Sequence, residues 1–456
     1  MLYLLIHHFG MFQLFFLLYF YTYLINFGLK NDFLITRFKI TLFILPRMNI
    51  RLTDKKIINN AEKAILNYDL CNHCLGRIFA KIGHGLTNRE RGLVLKNQFK
   101  IKKNVDVNSC WLCNGLLGEI LHFSNLIKNS LNDYEYETFL IGSKVDEDIL
   151  DREQELFKFV DAEYSESIKN EINREIGKIL EKNLKKEVDF KKPTIMAVVD
   201  TSFDFVNLQI SSLFIYGRYK KFKRDIPQTK WFCKICYGKG CKRCNYSGKL
   251  YDTSVEELVA DKFLEKTKGE DESFHGCGRE DVDARMLGNG RPFVLEIKNP
   301  KLRDLNLVQL EKEINKINKE IIEITNLRYS NRSEISRLKH SGFSKIYRVV
   351  IKSKKILNNE KLKKAAISLC GKKIGQFTPS RVAHRRAKMI REKHIYDCKI
   401  ESIDGDMATL IIEAESGTYI KELISGDEGK TKPNLSDLIG IPCQVTELDV
   451  INIKGE

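Results

Sequence analysis

Carboxylates are in short supply along this chain. Over 456 residues, 60 Asp and Glu face 76 Lys and Arg, a formal net charge of +16. An excess of that sign attracts polyanions, nucleic acid first and anionic membrane second. No long internal repeat is present, which excludes a stacked-repeat solenoid. A disulfide framework is also missing. Eight of the twelve cysteines fall into four CxxC pairs, while Cys277, Cys370, Cys398 and Cys443 are scattered. Paired CxxC in a long chain reads as metal binding in a reducing compartment, here the cytoplasm. Apolar residues are plentiful enough to build cores without staples, and the length suggests two to four domains.

Charge is absent altogether from Met1 to Leu29, a run rich in Phe, Leu and Tyr. The run is long enough to span a bilayer. It lacks the basic segment and small-residue cleavage site of a signal peptide. Ordinary helix-like sequence starts at "RMNIRLTDKK", where Met48 offers a second start. Residues 1–47 are therefore read as an apolar extension upstream of the true start, with a membrane anchor as the competing reading.

From Met48 onward the pattern is that of a folded protein. Apolar residues recur at helical spacing in Lys55–Tyr68 and Leu117–Asn129. "YETFLIGSKV" and Pro193–Asp200 read as strands, and Asp151–Asp189 as two charged helices. Ser254, with Glu257 three residues on, predicts a capped helix start. "PFVLEIKNP" reads as a strand with alternating side chains, Asn306–Glu323 as an amphipathic helix, and short strands dominate from Ser344. The C-terminal half is thus α+β with a central mixed or antiparallel sheet. The boundary between the halves falls near residue 245.

Two cysteine sets carry the clearest chemistry. Cys71, Cys74, Cys110 and Cys113 form two CxxC turns, each pointing two sulfurs at one ion. Four thiolates complete the closed tetrahedral site of structural zinc, with no open position for catalysis. Cys233, Cys236, Cys241 and Cys244 form a tighter knuckle with Gly238 and Gly240 at its turns. That knuckle resembles the cysteine-rich repeat of J-protein chaperones. There the repeats come in multiples and here there is one, so a small structural zinc ribbon fits better. Lys234, Lys239, Lys242 and Arg243 make it basic.

Just before it, "YGRYKKFKRDIPQTKW" interleaves Arg218, Lys220, Lys221, Lys223 and Arg224 with Tyr216, Tyr219 and Phe222. Cations neutralise phosphate and aromatics stack on exposed bases, which points to RNA. The competing reading is a solvated strand edge guarded by lysines.

The densest stretch is "GREDVDARMLGNGRPF", Gly278 to Phe293, with six charged residues among sixteen. It is too polar for core and too patterned for a flexible linker. A carboxylate beside a cation suits a nucleophile or base acting on a large anionic substrate, and a nearby glycine lets such a substrate approach the backbone. A magnesium site would need more carboxylates and fewer cations. A charged turn with local ion pairs remains possible on composition alone.

Several pieces together resemble the archaeal and eukaryotic tRNA pseudouridine synthases that act on the T-loop. "GRED" matches their G-R-x-D motif; "SKIYRVV" resembles the second motif and "GTYIKELISGDEGKTKPNLSDLIG" the third; "QFTPSRVAHRRA" is also typical. "GRYxKxxRxIPQT" resembles THUMP-related RNA-binding domains. The resemblance covers about residues 50–456. It implies a THUMP-like RNA-binding domain with both zinc knuckles over 48–245 and a catalytic domain of pseudouridine synthase fold over 246–456. It implies Asp281 as catalytic residue, paired with Lys421 and Arg279, and Tyr347, Tyr419, Ile420 and Leu448 around the target base. Arg291, Lys298, Lys301 and Arg303 are expected to grip phosphate, as are Arg381, His384, Arg385 and Arg386. The implied substrate is the tRNA T-arm at uridines 54 and 55. No organic cofactor and no obligatory protein partner are expected. The competing class is a non-catalytic, zinc-containing RNA-binding protein.

Overall fold

The computed structural model describes residues 51–99, 104–383 and 386–455. The apolar extension, His384 and Arg385 lie outside the described residues. Among those described, no helix is long and apolar enough to cross a membrane. The chain divides into two compact units, one of residues up to Leu126 with Ile141–Leu180 and Val199–Phe205, the other of Ile127–Leu140, Glu181–Val198 and Val206–Glu456.

The first unit is mainly helical. Helix Lys55–Asn67 buries Ile57, Ala61 and Ala64, the stripe its periodicity predicts. Helix Ile168–Leu184 buries Ile168, Ile172, Ile176 and Leu180, one residue per turn. Arg77, fully buried, pairs with Glu153 of helix Glu147–Phe159. The expectation of two helices over 151–189 is met by these last two elements.

Four short strands, β1 (Thr138–Lys144), β2 (Glu187–Val188), β3 (Ile195–Asp200) and β4 (Phe205–Ile210), form a sheet in the order β2-β1-β3-β4. A ten-stranded sheet builds the second unit from β5 (Leu213–Lys221), β6 (Asp271–Gly276), β7 (Arg285–Lys298), β8 (Ile322–Tyr329), β9 (Lys345–Ser353), β10 (Lys373–Phe377), β11 (Ile390–Asp404), β12 (Met407–Ala414), β13 (Thr431–Lys432) and β14 (Cys443–Ile453). Its order is β13-β10-β11-β12-β9-β14-β7-β5-β8, with β6 also on β7. The β7–β14 pair is parallel and its neighbours are antiparallel, so the sheet is mixed.

Three expectations change here. The basic stretch expected in the N-terminal part begins in β5, which pairs along its length with β7 and β8. It and the second knuckle therefore belong to the unit that holds the large sheet, upstream of residue 245. β7 does not alternate: Pro292, Phe293, Val294 and Leu295 are all buried, because both its faces are covered. Phe293 and Leu295 join the core beneath helix Val255–Thr267, while Val294 packs with Ile335 and Leu338 of helix Arg332–His340. The helix from Asn306 stops at Ile317, and the β-branched "IIEIT" that follows pairs as β8 instead. The Ser254 cap holds as read: its hydroxyl accepts from Glu257 N at 3.2 Å and donates to the Glu257 carboxylate at 2.8 Å.

Gly288-Asn289-Gly290 forms a bulge inside β7. Tyr219 pairs with Arg291 and Lys221 with Met286, leaving the residues between them looped out. Gly288 has φ +60°, and a Cβ there would lie 1.9 Å from the Ile451 carbonyl oxygen. The glycine thus admits the neighbouring strand's backbone, not a substrate. Gly288→Ala should lower unfolding free energy by about 1–3 kcal/mol through overpacking; a denaturant midpoint within error of wild type would contradict this.

Candidate active site

The "GRED" residues form the loop between β6 and β7, and a buried network fixes it. Glu280 accepts hydrogen bonds from Arg291 Nε at 2.8 Å and from the Tyr219 hydroxyl at 2.9 Å. The Glu280 and Arg291 side chains are each 1% exposed. Arg291 Nη1 also donates to the Cys277 carbonyl at 2.7 Å. Gln228 donates to the Tyr219 hydroxyl at 2.8 Å and to the Gly278 carbonyl at 3.0 Å. The fully buried Lys221 donates to the carbonyls of Ile226 at 2.7 Å, Val282 at 3.0 Å and Asp281 at 3.4 Å. Arg224 donates to the Asp283 carbonyl at 2.8 Å. Buried carbonyls need donors, and here cationic side chains supply them.

The Asp281 carboxylate leaves this clamp and faces a cleft of about 650 Å³. Arg381 Nη1 donates to both its oxygens at 3.1 Å. Arg381 also donates from Nε to Glu422 at 2.6 Å. Burial works against the Arg381 charge, but Glu422 and Asp281 outweigh it and raise its pKa above the ordinary value. Lys421 approaches Asp281 at 3.4 Å yet sits closer to Asp283, at 2.8 Å. The cation hydrogen-bonded to Asp281 is therefore Arg381, with Lys421 shared between two carboxylates. The Arg279 guanidinium lies over the Trp231 ring, 4.7 Å from its centroid.

Tyr347, Tyr419, Ile420, Leu448, Arg279 and Arg386 line the same cleft. Tyr347 is 8% exposed, and burial pushes its hydroxyl up to about 12. Gln376 holds Tyr419 by its backbone, accepting from N and donating to O at 2.9 Å each. Lys345, two residues before Tyr347 and on the same strand face, also lines the cleft. It is 5% exposed and donates to Ser416 Oγ at 2.8 Å. Burial, with the Arg291 charge, lowers it to about 8.

Most of the cations expected on RNA are engaged elsewhere. Arg218 is buried and donates to the Asn289 and Gly290 carbonyls at 2.7 and 3.0 Å, closing the β7 bulge. Lys221, Arg224 and Arg291 hold the loop, as described. Lys220 pairs with Glu323 at 3.0 Å and Lys298 with Asp271 at 2.6 Å. Lys301 lies 3.6 Å from Asp133, and Arg303 donates to Ser211. Tyr216 and Tyr219, expected to stack on bases, are buried. Of the five cations of the basic stretch, Lys223 alone is exposed. β5 is buried without a break from Ile215 to Tyr219, and a cation is accommodated in such a strand where it finds acceptors.

Both cysteine sets converge. In each, the four sulfurs lie within 4.8 Å of one another. Cys71 and Cys113 are 3.8 Å apart; Cys236–Cys244 and Cys241–Cys244 are 3.8 and 3.7 Å. Such separations match the edge of a tetrahedron with metal–sulfur bonds of about 2.3 Å, and are far longer than a disulfide. Backbone N–H groups of Gly240, Cys241 and Gly248 point at the second set's sulfurs at 3.2 Å each, the outer bonds a thiolate site uses. Either cluster fits a metal ion.

A family model described as the C-terminal region of Pus10 matches residues 214–454, and one described as the archaeal Pus10 THUMP domain matches 123–200. The chain belongs to the Pus10 family. It is 41% identical to the tRNA pseudouridine synthase Pus10 of Methanothermobacter marburgensis, over 85% of this chain and 96% of that one. It is 40% identical to the protein of that name from Methanocaldococcus jannaschii, over 87% and 94%, and 35% identical to that of Methanothrix thermoacetophila, over 88% and 95%. The Pus10 match begins within β5, in keeping with that strand's place in the large sheet.

Within this Pus10 fold, the sequence reading missed Glu280, Gln228, Lys345, Trp231 and Glu422. The signal for two of them was present: Glu280 is the third letter of "GRED" and Gln228 the third of "IPQT". Lys345 and Glu422 carried none, being ordinary charged letters in a strand and a helix.

Two outcomes are expected. Arg291→Leu leaves Glu280 as a buried unpaired charge and should cost about 3–5 kcal/mol of stability by denaturant titration. For Lys345, the folded chain gives up its proton near pH 8 while the unfolded chain holds it to about 10.5. Stability from this group is thus lowest below pH 8 and rises as pH climbs toward 10.5. Wild type should therefore gain stability on Lys345→Met between about pH 7 and 10; a constant difference would refute the assignment.

Proposed function

We propose that this chain is a tRNA pseudouridine synthase that converts uridines 54 and 55 of the T-arm, with Asp281 as the catalytic residue. The observation that carries this reading is the Asp281 carboxylate itself, held on a clamped loop, bonded by Arg381 and facing a nucleoside-sized cleft. A solvated charged turn would need none of the buried bonds behind it.

The reaction breaks the N1–C1′ bond, turns the uracil and joins C5 to C1′. C5 loses its proton and N1, freed from C1′, gains one, so no electrons change hands and no organic cofactor is called for. Asp281 acts on the nucleotide as nucleophile or base. Lys421 and Arg381 balance its charge. Tyr347 stacks on the base. Its hydroxyl, pushed up to about 12 by burial, stays a neutral phenol at neutral pH, which suits donation of a hydrogen bond and not a phenolate base. Ile420 and Leu448 close the pocket, and Tyr419 contacts the substrate. The target base must leave its stack, at a cost of a few kcal/mol that distant backbone contacts offset. Arg386 on the cleft and Lys223 serve as phosphate contacts. Each four-cysteine cluster holds one structural zinc, and a thiolate-ligated enzyme of tRNA suits the cytoplasm.

Tritium release from uridine C5 of an unmodified tRNA transcript tests the catalytic assignment. Wild type should release label, and Asp281→Ala should release none while still binding the transcript. Binding without release by both proteins would favour a non-catalytic RNA-binding protein. Metal analysis should find two zinc ions per wild-type chain and one in Cys74→Ser; a metal-free wild type prepared without chelator would refute the zinc sites.

A further inference from the structure

The second knuckle has surface features that metal binding does not require. From Lys230 to Lys249 the sequence holds six cations and no carboxylate. Lys230 and Lys249 pair with Glu272 and Glu257. Lys234, Lys239, Lys242 and Arg243 are exposed, and no ion pair joins them among the described residues. Interleaved with them, Tyr237 is 81% exposed and Tyr246 70%. Both have positive φ, +50° and +62°, a region that bulky side chains rarely adopt. Neither ring packs on another ring, and neither hydroxyl has a hydrogen bond, among the described residues. The turns themselves belong to the knuckle, where Tyr237 N and Tyr246 N donate to the Cys233 and Cys241 carbonyls at 2.9 Å each, but the rings they carry stand in solvent.

The surface starts where the cleft wall ends. Trp231 lines the cleft beneath Arg279, and the knuckle closes back on it through Leu250 N to Trp231 O at 2.8 Å and Cys233 N to Gly248 O at 2.7 Å. The exposed Phe232 ring, next in sequence, lies against Gly238 between the two CxxC turns.

We propose that this knuckle is a second RNA-binding surface, on which unpaired nucleotides of the substrate stack against Tyr237 and Tyr246 while Lys239, Lys242 and Arg243 neutralise the flanking phosphates. This rests on the tRNA reading above. Cations interleaved with free ring faces fit single-stranded nucleic acid, because every base offers a π-face. An acidic protein segment would pair with the cations but leave the rings without a function.

The test uses the full chain and an unmodified tRNA transcript, with Kd measured by filter binding over a range of salt. Tyr237→Ala with Tyr246→Ala should weaken binding at least about tenfold, since two stacking contacts are lost. Tyr237→Phe with Tyr246→Phe keeps the rings and should stay within about twofold of wild type. Lys239→Gln, Lys242→Gln and Arg243→Gln together should flatten the slope of log K against log salt by about 2–3. Should the alanine variant lose metal, the phenylalanine and glutamine variants decide alone. An unchanged salt slope in the glutamine variant, or tight binding by a metal-replete alanine variant, overturns the proposal and assigns the surface to a partner other than RNA. Pseudouridine is counted in the same wild-type samples. Binding without product removes the catalytic reading and leaves the knuckle to be judged on Kd, whereas a wild type that does not bind the transcript overturns both.

Discussion

Glu280 and Arg291 meet inside the protein, away from water, and the geometry of the site depends on that meeting. Taking two charges out of water is expensive, and such a pair contributes little net stability over an apolar replacement. What it supplies is uniqueness. The planar guanidinium reaches the Glu280 carboxylate with Nε and the Cys277 carbonyl with Nη1, so one side chain sets both the side-chain and backbone position of the loop. Tyr219 donates to Glu280 and Gln228 to Tyr219, so further bonds hold the residue that precedes Asp281. A carboxylate that faces an open cleft keeps a fixed position when its neighbour in the chain is held this rigidly.

That arrangement also explains the placement of the basic residues. The loop between β6 and β7 and the bulge inside β7 both present carbonyls with no ladder partner. Lys221 and Arg218, from the adjoining β5, answer them with donors. The large sheet thus uses a strongly basic strand as an internal scaffold. Cations directed at Asp281 come instead from other elements, from Arg381 and from Lys421 in helix Ile420–Ser425. Glu422, buried and bonded to Arg381, orients the guanidinium toward Asp281 much as Glu280 orients the loop.

How much of this could be read from the sequence follows from what a sequence pattern encodes. Periodic helices such as Lys55–Asn67, the Ser254 cap and the two cysteine sets were legible, since spacing alone dictates them. The cleft members Asp281, Tyr347, Ile420 and Leu448 are far apart in the chain, and only family resemblance gathered them before the fold did. The direction in which a lysine or arginine points was illegible. Arg218 and Lys221 look like an RNA-binding stripe because inward cations use the same letters as outward ones, and their acceptors are backbone carbonyls that leave no mark in a sequence. The boundary expected at residue 245 slipped for the same reason: pairing between β5 and β7 spans some seventy residues, and no local feature of "GRYKKFKR" announces it.

The order of the large sheet has a consequence for when the site can come into being. β7, which follows the Asp281 loop, and β9, which carries Tyr347, are not neighbours; β14 lies between them and pairs with both. β14 is the last strand among the described residues. During synthesis, therefore, the wall with the carboxylate and the wall with the aromatic ring wait as two unjoined edges until residues 443–453 leave the ribosome. Long-range pairing of this kind is slow, and open strand edges invite the wrong partner meanwhile. The Asp281 carboxylate thus gains its full pocket only after β14 has paired with both walls.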